Sequence, residues 1–116
     1  MSKDHKLEKA LHASTDELYA VIGFKEHKDL HGLTPDFKKL VQIGQKWMTE
    51  NLNRLQKVLC TNDLLRFAIK DKAIIELAVI MKNILLKDAS KSPDVDAMVA
   101  IILKEGIVEY CGVYWK

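Results

Sequence analysis

The sequence predicts an all-α chain, a compact bundle of four to six helices forming a single helical domain over residues 1–116. Three observations predict it. Apolar residues recur at spacings of three and four along most of the chain, the period of one buried helix face. Start signals punctuate that pattern at Ser14-Thr15-Asp16-Glu17, Thr34-Pro35-Asp36, Thr61-Asn62-Asp63 and Ser92-Pro93-Asp94. In each, a short polar side chain can satisfy the free N–H groups of a first turn. Finally, the apolar run Ala73–Met81 could be a buried strand, but its length, the polar breaks at Glu76 and Lys82 and the helical spacing of Leu77, Met81, Ile84 and Leu85 favour a helix, and no convincing second strand exists to pair with the C-terminal residues.

Leu7, Ala10, Leu11, Leu18, Val21 and Ile22 mark helical structure near the start. Ser14 and Glu17 have capping-box spacing, so a short helix followed by a second is expected, with Gly23 as a stop. Lys25 to Leu33 reads as a polar connection. From Pro35 to Cys60, Phe37, Leu40, Val41, Gly44, Met48, Leu52, Leu55 and Leu59 form one stripe, flanked by Trp47 and Val58. This predicts one long helix, with Thr34 as cap, Pro35 in the first turn and Asp36 opposing the positive helix end.

The segment Asn62–Lys87 begins at a capping cluster and contains the polar break Lys70-Asp71-Lys72. Leu77, Met81, Ile84 and Leu85 at helical spacing make its second part a buried helix. With Asp71 as a candidate cap, the segment is one bent helix or two. After a polar loop at 88–92, Val95, Met98, Val99, Ile102 and Leu103 give the next stripe, ended by Gly106. Ile107–Trp115 fits a helix better than a strand.

Two features recur half a chain apart: Ala20-Val21-Ile22 with Ala78-Val79-Ile80, and Thr34-Pro35-Asp36 with Ser92-Pro93-Asp94. Residues 1–58 and 59–116 are therefore candidate helical hairpins related by a pseudo-twofold axis. Shared capping chemistry and chance recurrence of apolar triplets account for the same matches without duplication.

Hydrophobic residues make up 48% of the chain and charged residues 29%, a globular balance. The net charge of +2 is small for a nucleic-acid binder, but it is unevenly spread, with a basic middle and acidic ends. Cys60 and Cys111 lie among apolar neighbours and outside any CxxC pair, so buried reduced thiols are expected. The first residues lack a secretory pattern and no apolar run spans a membrane, so the expected location is cytoplasmic.

Motifs for chemistry are sparse. His27 and His31 are four apart near Glu26 and Asp29, but His5, His12, His27 and His31 specify no complete ligand set. Serines sit at the chain start or in capping contexts, glycines are scattered, and Asp16-Glu17 and Asp94/Asp96 lie at helix starts, where the helix dipole explains them. No enzyme, metal or cofactor is expected.

Apolar residues exceed what narrow stripes hide: Trp47, Val58, Ile75, Val79, Leu86, Val108, Tyr114 and Trp115. Such excess suggests a partner surface. The expected function is a non-catalytic protein–protein interaction module, an adaptor or small subunit of a larger assembly. It would self-associate through exposed apolar helix faces, with Trp47, Tyr110, Tyr114 and Trp115 as candidate partner-binding residues. The alternative is a small nucleic-acid-associated subunit that uses the basic region 35–72, through Lys39, Lys46, Arg54 and Lys57.

Overall fold

The computed structural model describes residues 5–26, 36–88 and 93–115. They form α1 (His5–His12), α2 (Thr15–Glu26), α3 (Phe37–Glu50), α4 (Leu52–Cys60), α5 (Asp63–Ala68), α6 (Ile74–Lys87), α7 (Val95–Glu105) and α8 (Ile107–Tyr110). The described residues contain no strand. The all-α expectation holds, with eight helices among the described residues where four to six were expected. The number rises because three long periodic segments are each divided by a bend or a cap.

The capping box is present. Ser14 Oγ accepts from the Glu17 amide at 3.1 Å, and Glu17 Oε1 takes both the Ser14 hydroxyl and its amide. It separates α1 from α2. Gly23 does not stop α2, which runs on to Glu26. A Cβ at Gly23 would collide with the Leu40 carbonyl, and one at Gly44 with the Tyr19 carbonyl. These glycines let the antiparallel helices α2 and α3 meet backbone to backbone, the most extensive helix contact in the fold.

The expected long helix 35–60 bends once. The ladder carries through Asn51, whose amide donates to the Trp47 carbonyl and whose carbonyl accepts from Leu55, both at 3.0 Å. The Asn51 side chain donates to that same Trp47 carbonyl at 2.8 Å, a competing bond of the kind that bends helices. The caps also differ from expectation. Asp36 accepts from the Lys39 amide and Asp94 from the Ala97 amide, so in both Pro-Asp starts the aspartate is the cap. Thr34, Pro35 and Ser92 lie outside the described residues, as does most of the 25–33 connection. The 62–87 segment is two helices. Asn62 caps the first, accepting from the Leu65 amide, while Ala73, not Asp71, is the N-cap of α6 and makes no side-chain capping bond.

The core is centred on α7, where Ala97 to Ile102 are all buried and which packs against α1, α2, α6 and α8. Met81 and Leu85 of α6, Leu55 and Leu59 of α4, Leu7 and Ile22 fill the space around it. The first turn of α7 is clasped by charge. Lys25 Nζ lies 2.8 Å from Asp94 Oδ2, and Lys82 and Lys6 lie 2.9 and 3.6 Å from the two oxygens of Asp96. Helices α1, α2 and α6 are thus tied to one helix start. Gly106, at φ 101°, closes α7, as the sequence predicts.

Cys60 and Cys111 are joined as a disulfide, with Cα atoms 5.4 Å apart. This corrects the expectation of reduced thiols. Both cysteines are buried, but at a sequence separation of 51 nothing local signals that the end of α4 meets the turn after α8.

The two halves repeat in element order. Helices α1, α2 and α3 begin at His5, Thr15 and Phe37, and α5, α6 and α7 begin at Asp63, Ile74 and Val95, a nearly constant offset of half the chain. Their packing differs. α7 touches α1 and α2, whereas α3 has no more than marginal contact with α5 or α6 and rests on α2 and α4.

Candidate interaction surface

On α2, Leu18 and Ile22 turn inward while Glu17, Val21 and Phe24 form an outward stripe at spacings of four and three. This helix is apolar on two faces, and the core covers only one. The antiparallel contact with α3 then brings Phe37 and Leu40 beside Phe24. Phe24 is 56% and Phe37 53% exposed.

The result is an exposed apolar patch that includes two shallow hollows. One hollow is lined by Ala20, Val21, Phe24, Phe37 and Leu40, with Glu17 at its edge. The other runs between α1, α2 and α7, lined by Ala10, Ala13, Leu18, Val21 and Ala97 with charged side chains at the rim. Glu17 and Val21 border both. Contiguous exposed apolar surface of this kind marks interaction sites. Its charged neighbours are largely committed, since Lys25 and Lys6 pair with Asp94 and Asp96. Burial raises the Asp94 carboxyl, but the hydrogen bonds from Lys25 and the Ala97 amide and the charges of Lys25 and Lys6 outweigh it and hold its pKa below 3.8. On the other side of α2, Tyr19 Oη donates to Glu105 Oε1 at 3.1 Å. Burial, together with Glu105 and Asp16, pushes this phenol up to about 12.

The four residues singled out in the sequence divide. Tyr114 is exposed, but Tyr110 is only 8% exposed and belongs to the core. Trp115 is half-buried and donates its indole N–H to the Cys60 carbonyl at 2.7 Å. Trp47 is half-buried against the core. Tyr110, Tyr114 and Trp115 share one segment near the end of α4, while Trp47 sits apart on α3. Of the wider apolar set, Val79, Leu86, Val108 and Tyr114 are exposed, and Trp47, Val58, Ile75 and Trp115 are partly covered.

The basic candidates differ in how far they are engaged. Lys39, Lys46 and Lys57 are exposed, but Arg54 is engaged by Asp88 and Asn51. Among the described residues no group of His, Cys, Asp and Glu could hold a metal. His27 and His31 lie outside them.

Comparison with protein-family models, with curated proteins and with solved structures gives no match. No described helix is long and apolar enough to cross a membrane.

Sequence reasoning missed Phe24 and assigned Phe37 to the buried stripe. The signal for Phe24 was present as a second apolar stripe on α2, Val21 and Phe24, beside that of Leu18 and Ile22. Phe37 follows the helical period faithfully, yet it lies in the first turn of α3 and stays exposed beside Phe24. A second exposed group, Leu64, Phe67 and Ile74, is interspersed with Asp63, Arg66 and Lys70 and forms a less continuous apolar face.

Proposed function

We propose that the chain is a non-catalytic helical interaction module, an adaptor or small subunit, that pairs with a second copy of itself through the α2/α3 face. The observation that carries this reading is the exposed apolar patch of Val21, Phe24 and Phe37, continuous with hollows lined mostly by apolar side chains. A contiguous apolar face can meet its own copy in an isologous twofold contact, in which the phenylalanines of each copy pack against the same face of the other. A net charge of only +2 sets little long-range repulsion between copies. α3 rests mainly on α2, which leaves its flank open to a neighbour.

Light scattering tests it. The chain is expected to exceed its 13.2 kDa monomer mass as concentration rises. Phe24→Ser combined with Phe37→Ser should return it to the monomer with its helical circular dichroism intact. A buried Phe is worth about 1.5–3 kcal/mol, so losing two weakens the pair at least about a hundredfold. A wild-type chain that stays monomeric at high concentration sinks the reading. Salt-sensitive binding of such a monomer to nucleic acid would transfer the role to Lys39, Lys46 and Lys57. The proposal includes a cytoplasmic setting, in which the Cys60–Cys111 bond stands under the reducing pressure of cellular thiols.

A further inference from the structure

We propose that the Cys60–Cys111 disulfide is a redox latch: it holds residues 107–115 closed over the end of α4, and its reduction by a dithiol frees this segment to swing about Gly106.

The closed segment has little structure of its own. α8 is four residues long, far below the length at which a helix persists alone. It joins α7 through Gly106, the one described residue with a positive φ outside the range other residues favour, so a change at a single residue redirects everything beyond it. Its side-chain hydrogen bonds to α4 cluster at the disulfide. Gln56 Nε2 donates to the Tyr110 carbonyl at 2.8 Å, next to Cys111, and Trp115 Nε1 donates to the Cys60 carbonyl itself at 2.7 Å. Loss of the covalent bond therefore loosens the anchor point of both. The closed form also carries a cost, because the Tyr110 hydroxyl is buried with no hydrogen-bond partner, an arrangement that favours opening toward water.

The chemistry balances with a dithiol reductant supplying two electrons and two protons. Its thiolate attacks one sulfur, the Cys60–Cys111 bond breaks as a mixed disulfide forms, and the second thiol resolves that intermediate. Two cysteine thiols remain in the chain and one disulfide in the reductant. Cys60 is 4% and Cys111 0% exposed, so attack waits on transient opening of 107–115. The reduction rate should then level off at high thiol concentration, where opening becomes limiting.

Hydrogen exchange followed by mass spectrometry decides the matter, with dithiothreitol as reductant and alkylation to count thiols. Reduction is expected to speed amide exchange in 107–115 at least tenfold more than in peptides from α6 and α7. Cys111→Ser should show the open pattern with or without reductant. If that variant loses its helical spectrum, the reduced wild-type chain gives the answer alone. Two alkylatable thiols in air-oxidised protein overturn the proposal, as does unchanged exchange in 107–115 or an equal acceleration throughout the chain.

Discussion

Asp94 shows how one side chain serves two purposes. Its carboxylate caps α7 through the Ala97 amide and pairs with Lys25 of α2. The sequence made it legible only as a charge near a helix start, because Lys25 is remote in the chain and its approach depends on how α2 crosses α7. The folded-state pKa lies below 3.8, so the ionised form is favoured by folding. That stabilisation is present above the unfolded carboxylate value of about 3.9 and disappears as the pH falls through the lower folded value. Denaturant unfolding should accordingly show stability declining from neutral pH toward pH ~3. Asp94→Asn retains a capping oxygen but removes the charge. It should lower stability at neutral pH, and the gap to wild type should narrow on acidification. A constant gap across that range would assign the effect to packing. Tyr19→Phe deletes the bond to Glu105 and should cost about 1 kcal/mol by the same unfolding measurement.

Among the elements, the pairing of α2 with α3 is where glycine was read in the wrong sense. Gly23 after an apolar stretch has the form of a helix stop, and a stop signal is local. Its actual use, admitting the Leu40 carbonyl, depends on a helix that begins only beyond the next connection. Gly→Ala in a helix interior ordinarily stabilises by about 1 kcal/mol. Here the sign should reverse, since a methyl group at Gly44 would collide with the Tyr19 carbonyl. Gly44→Ala should destabilise by about 1–3 kcal/mol, as overpacking does, with a lower thermal midpoint. The bend at Asn51 was invisible for a different reason: the three-and-four pattern continues unbroken across it, and a single side-chain bond to Trp47 sets the break. By contrast Ser14–Glu17, Asn62 and Gly106 were readable because their chemistry is complete within a single helical turn.

For the whole molecule, helical content and the buried character of Met81, Leu85, Met98 and Ile102 followed from periodicity, while the disulfide did not. Closing 51 residues of chain stabilises the fold by about 4 kcal/mol on the chain-entropy account. Reduction should lower the urea midpoint accordingly. If 107–115 has already left the core of the reduced native state, the urea dependence should also become shallower, because less surface remains to be exposed on unfolding. The correspondence between the two halves extends to where helices begin and not to what they touch. α7 became the centre of the core, and α3 the outer helix whose flank the candidate surface occupies.

The direct meeting of main chains at Gly23 and Gly44 has a practical corollary. The separation of α2 from α3 is fixed by peptide atoms, so it does not depend on which side chains decorate the outer rows. Positions 21, 24 and 37 can thus be rewritten as a set on a scaffold whose spacing stays constant.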